Sequence, residues 1–68
     1  MMNNTNSLMQ DIKVGQIWVA NKSGNERRVK AISGYDVITI RWHEDTGVII
    51  TSWGYEDFLL SHTLKEEK

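Results

Sequence analysis

The chain has 68 residues, no cysteine and a formal net charge of −1. One domain is the most it holds, and disulfides, thiolate zinc sites and cysteine nucleophiles are excluded. No apolar run approaches the roughly 18 residues that would span a bilayer, and the start lacks the basic-then-apolar pattern of a secretory signal.

Residues 1–12 open with an Asn-rich stretch whose internal apolar residues are few, Leu8 and Met9 among them. Such a segment buries too little to offset its ordering entropy and reads as a flexible N-terminal tail. Ser7 is placed to cap a short helical turn through Asp11. From Val14 onward, short β-rich runs alternate with turn residues punctuated by Gly15, Gly24, Gly34, Gly47 and Gly54. This pattern predicts strands at about 16–20, 26–32, 36–42 and 48–52. Gly34 and Gly47 stand where two hairpin turns need a positive φ. Ser52 is then a candidate N-cap for a helical segment at about 53–60, with Glu56 and Asp57 at its positive end and Phe58 turned to the core. Residues 61–64 predict a last strand, and residues 65–68 a solvated C-terminal end.

The two-residue period assigns faces. Pairing the more apolar parities predicts a core of Val29, Ala31, Ile38, Ile40 and Trp42, with Ile40 fully buried. The opposite, wet face would carry Arg28, Lys30, Thr39 and Arg41. Strand one is apolar on both parities (Ile17, Trp18, Val19), which leaves its inward face open, and so is 48–50. The expected fold is all-β: a small SH3-like five-stranded antiparallel barrel over residues 13–64, with one short helical turn near the C-terminus. The competing arrangement is an open three- or four-stranded sheet covered by the C-terminal helix.

Val14-Gly15-Gln16-Ile17-Trp18, Arg27-Arg28-Val29 with Ile32, the run from Val37 to Trp42, Thr51-Ser52 and Phe58 together resemble a group of small phage- and prophage-encoded proteins of enteric bacteria. The resemblance spans about residues 13–60. It implies an SH3-like or KOW-like barrel, a mobile-element origin and the cytoplasm of a bacterial host. It carries over no catalytic residues. The acidic turn Glu44-Asp45 and the segment Trp53-Gly54-Tyr55 depart from the group's plainest members.

The charge is unevenly spread. Residues 13–41 carry +4 and residues 44–68 carry −4. Either the halves neutralise each other across the fold or they mark polar binding surfaces. His43-Glu44-Asp45 is the one cluster of acid, base and ligand types, but consecutive turn residues converge poorly on a metal, so no metal and no cofactor is expected. No phosphate loop, HExxH or serine elbow is present, and a 68-residue domain has little room for a substrate pocket, so the expectation is a non-enzyme with no small-molecule substrate and no membrane attachment. Two binding readings remain. Trp53, Tyr55, Glu56 and Asp57 form an aromatic, acidic segment suited to a protein partner, because Trp and Tyr are enriched at protein hot spots. Alternatively Trp53 covers one end of the core. Arg28, Lys30 and Arg41 form a basic sheet face suited to nucleic acid, with Trp18, Trp53 or Tyr55 to stack on bases, although the sequence pI of about 6.0 is low for such a binder. The first reading is preferred: an accessory protein binding a host or phage protein as a regulator or inhibitor, with counter-defence one such role.

Overall fold

A computed structural model describes residues 12–66, so residues 1–11 of the expected tail, with the Ser7 cap, lie outside the described residues. In chain order the elements are β1 (Ile17–Ala20), β2 (Glu26–Ser33), β3 (Asp36–His43), β4 (Gly47–Gly54), the helix α1 (Tyr55–Ser61) and β5 (His62–Glu66). They build one antiparallel sheet in the order β4-β3-β2-β1-β5. The fold is therefore all-β, with five antiparallel strands and one short helix ahead of the last. The expected barrel is not closed, because β4 and β5 end the sheet at opposite edges and do not pair with each other.

The hairpins form where the glycines predict them. Gly34 (φ 61°) turns β2 into β3, and Gly47 (φ 82°) opens β4 after the Glu44–Thr46 turn. β3 and β4 stay in register without a shift from Asp36↔Gly54 to His43↔Gly47. β4 thus runs to Gly54 and takes in Ser52, which is not the helix cap. Gly54 is the N-cap and offers no side chain; instead the Tyr55 N–H donates to the Tyr35 carbonyl at 2.7 Å, fastening the helix start to the β2–β3 turn. Glu56 and Asp57 do occupy the first helical turn, where a negative charge suits the helix dipole.

One face of the sheet is covered. Ile12, Trp18, Val29, Val37 and Phe58 form the buried cluster, with Trp53, Tyr55, Leu59 and Leu64 packed against it. Phe58 fulfils its expected role: it is fully buried and meets the Trp18 ring edge-on at 5.2 Å. Ile12 belongs to the core, which therefore begins one residue before the expected boundary at 13. Lys65 and Glu66 belong to β5, so the strand runs past 64 into what reads as a solvated end.

The expected faces of β3 are inverted. Val37 and Thr39 are fully buried, Ile38 and Ile40 are half-buried on the other side, and Trp42 is 73% exposed. Of the expected core only Val29 is fully buried, and Ala31 is half-buried. The cause lies in the register. Val29 pairs with Thr39 and Trp53 with Val37, and a shift in β2 between Val29 and Ala31 changes the phase beyond it. The helix lays Phe58 over the sheet face that holds Trp18 and Trp53, and these bulky rings bring Val37 and Thr39 inside with them. Thr39 is satisfied there, because its Oγ1 accepts from Trp53 Nε1–H at 3.0 Å.

A buried glutamine fixes the way in. Gln16 Oε1 accepts from Lys13 N–H at 2.7 Å and from Trp18 Nε1–H at 3.0 Å. Buried amide and indole donors are costly when unpaired, so this one oxygen ties the segment entering β1 to the central tryptophan.

Candidate binding face

The face left uncovered by the helix follows from the same register. Ile17 pairs with Arg28, Arg28 with Ile40, and Ile40 with Ile50, which makes one row across four strands. Trp42 pairs with Val48 in the next row. Trp42, Val48 and Ile50 are 73%, 57% and 60% exposed. Large apolar side chains grouped on one face of a small domain mark an interaction surface more often than solvent-facing ones scattered singly.

At one end of this face the sheet divides. The β2–β3 ladder stops at Arg28↔Ile40. Beyond that point β2 stays with β1 through Trp18↔Arg27 and Val19↔Glu26, while β3 stays with β4 to His43↔Gly47. Continuing the β2–β3 register would set Arg27 opposite Arg41, and like charges directly opposite each other disfavour pairing. A cleft of about 480 Å³ lies at the division, lined by Arg27, Arg28 and Arg41 together with Ile17, Ile40, Trp42, Val48, Asn25 and Glu26.

The cleft is rich in unneutralised positive charge. Among the described residues the one ion pair joins Lys65 Nζ to Glu26, so the cleft's own carboxylate is engaged elsewhere. Among the described residues no further ion pair joins the basic and acidic halves of the chain. Burial pushes the Arg27 guanidinium below its ordinary value, and Arg41 pushes it the same way. Arg27 is held in place by packing: its Cζ sits 4.9 Å from the centre of the Trp53 ring, a cation–π contact, and its buried Nε has no hydrogen-bond partner.

Of the expected nucleic-acid residues, Arg28 and Arg41 both line the cleft. Lys30 is exposed and does not line it. Arg41 shares the covered face with Val37 and Thr39 and is half-buried, so it reaches the cleft from the side opposite Arg28. Of the expected protein-binding residues, Trp53 and Tyr55 are half-buried and engaged in packing. Trp53 donates to Thr39 and meets Phe58 and His62 edge-on at 6.1 and 4.8 Å, while the Tyr55 hydroxyl accepts from Ile12 N–H at 3.2 Å. Trp53 therefore covers the core, as its alternative reading had it. Glu56 and Asp57 are exposed on α1. Arg27 and Trp42 are the site residues that sequence reasoning passed over. Trp42 looked like core because its parity is the more apolar one in β3.

His62 also packs against Trp53. Its ring stacks on Phe58 at 4.2 Å, and Nδ1 lies 3.2 Å from the Phe58 carbonyl, which places the proton on Nδ1. Burial lowers its pKa, the Phe58 carbonyl opposes that, and Arg27 adds to the lowering. At the β3–β4 turn His43 Nδ1 accepts from Asp45 N–H at 3.2 Å, a local turn contact. No helix among the described residues is long and apolar enough to cross a membrane. Comparisons with protein-family models, with curated proteins and with solved structures find no match.

Proposed function

We propose that this chain is a non-enzymatic accessory protein that docks on a partner protein through the uncovered face of its sheet. The observation that carries the reading is the exposed group Trp42, Val48 and Ile50, beside half-buried Ile40 and exposed Arg28. Aromatic side chains and arginine are the residues most enriched at protein interfaces. This moves the binding surface from the Trp53–Asp57 segment, whose rings are used in packing, to the opposite side of the sheet. The likeness of residues 13–60 to small phage and prophage proteins supports a bacterial cytoplasmic setting and a regulator or inhibitor of a host or phage protein.

A second reading has its own support. Three arginines and Trp42 line one cleft, which is a chemistry that also receives single-stranded nucleic acid. Capture from nuclease-treated bacterial lysate separates the two. The parent should retain a defined protein, and Trp42→Ser/Ile50→Ser should lose it while keeping a dispersed NMR spectrum. Retention that vanishes on nuclease treatment and falls steadily with salt would replace protein docking with nucleic-acid binding. Equal retention by parent and variant would place the docking surface elsewhere.

A further inference from the structure

Resting on the docking reading, we propose that the cleft between β2 and β3 is a carboxylate-binding subsite that takes an acidic side chain from an acidic, apolar segment of the partner protein. Arg27, Arg28 and Arg41 all line one cleft, and none of them forms an ion pair among the described residues. Holding like charges together without a counter-ion costs free energy, and an incoming anion removes that cost. Arginine is the side chain whose planar fork matches a carboxylate in bidentate fashion. Arg27 is positioned for this before any ligand arrives, since Trp53 supports its guanidinium at 4.9 Å.

The walls say what accompanies the carboxylate. Ile17, Ile40 and Val48 are aliphatic and Trp42 is the one aromatic ring, so the cleft favours apolar side chains flanking the acid over a run of stacked bases. A continuing phosphate backbone would also leave the arginines quickly. The strand that carries Arg41 and Trp42 runs directly into the Glu44-Asp45 turn, and the one that carries Arg27 starts at Glu26. Because β2 and β3 are antiparallel, these acidic residues gather at the one open end of the cleft; Glu26 is paired with Lys65, so a single carboxylate held at the arginines stops short of the Glu44-Asp45 turn, whereas a polyanion running out of the cleft meets it. The full chain's net charge of −1 adds no general attraction for a polyanion.

The test follows the arginine Nε–Hε, tryptophan indole and backbone amide NMR signals of the full chain as three probes are added. The probes are a short peptide of alternating glutamate and leucine, its glutamine-for-glutamate counterpart, and a short oligothymidylate. The glutamate peptide should shift Arg27, Arg28, Arg41 and Trp42 saturably and leave Lys22 and its neighbours unmoved. The glutamine peptide should bind about tenfold more weakly or worse, as should the glutamate peptide on Arg28→Gln/Arg41→Gln. Arg28→Gln alone, at an exposed position, serves if the double variant loses its dispersed spectrum. Equal binding of the two peptides overturns the carboxylate subsite while leaving the apolar docking face intact. Tighter binding of the oligothymidylate overturns it in favour of phosphate. Absence of any saturable shift overturns it outright, and the lysate capture by Trp42 and Ile50 then stands or falls separately.

Discussion

His62 is 4% exposed, stacked on Phe58, and bonded through Nδ1 to the Phe58 carbonyl, with Arg27 nearby and the Ser61 hydroxyl 2.9 Å from the same nitrogen. Its folded pKa lies below the ordinary histidine value of about 6.5 that the unfolded chain keeps. As pH falls through that value, the unfolded chain takes up a proton before the folded one does. The contribution is therefore complete above about pH 6.5 and is lost as pH drops below it. Urea midpoints measured at about pH 7.5 and about pH 5.5 should show the parent weakening toward acid, with a flatter response in His62→Gln. His43 is present in both proteins and cancels in the comparison. An identical pH slope in the two would contradict the assignment. None of this was legible in the sequence, where His62 is an unremarkable residue ahead of a threonine. Its burial comes from the Ala20↔His62 pairing of β1 with β5, forty-odd residues apart in the chain.

At the scale of elements, legibility tracked how local the cause was. Gly34 and Gly47 announce their turns because only a backbone free of Cβ adopts φ of 61° and 82° without strain. Gly34 faces open space, so backbone strain alone decides what replaces it. Gly34→Asn should keep the urea midpoint near the parent's, since asparagine tolerates the left-handed region, and Gly34→Val should lower stability by about 1–2 kcal/mol. Equal midpoints for the two variants would show that the turn readily rebuilds. Ser52 illustrates the opposite case. Its identity suits a helix cap, yet β4 keeps it because the ladder with β3 continues through Ile38↔Ser52 to Asp36↔Gly54. The parity of β3 was likewise hidden. Ile38, Ile40 and Trp42 are more apolar than Val37, Thr39 and Arg41, and nothing local reveals that Trp53 and the helix will cover the less apolar row.

For the molecule as a whole, the five-strand antiparallel plan with a late helix was readable, while the division of the sheet was not. That division falls where two arginines on the two arms of one hairpin would face each other at the end of the ladder, a consequence of register that only the assembled sheet displays. A small domain has one covered face and one core of limited stability, about 3–5 kcal/mol. Phe58→Ala, which empties the centre of that core, should remove about 3–5 kcal/mol and leave little folded protein. Trp42 and Ile50 stand on the uncovered face, where the cross-strand pairs Trp42↔Val48 and Ile40↔Ile50 contribute about 0.2–1 kcal/mol each. On the proposed docking reading these side chains serve a partner and not the core. Urea unfolding of Trp42→Ser/Ile50→Ser beside the parent tests it most directly. A loss within about 1–2 kcal/mol, with a cooperative transition and an unchanged slope, is the predicted result. A loss as large as that of Phe58→Ala would mean that this face is core and that no docking surface stands there.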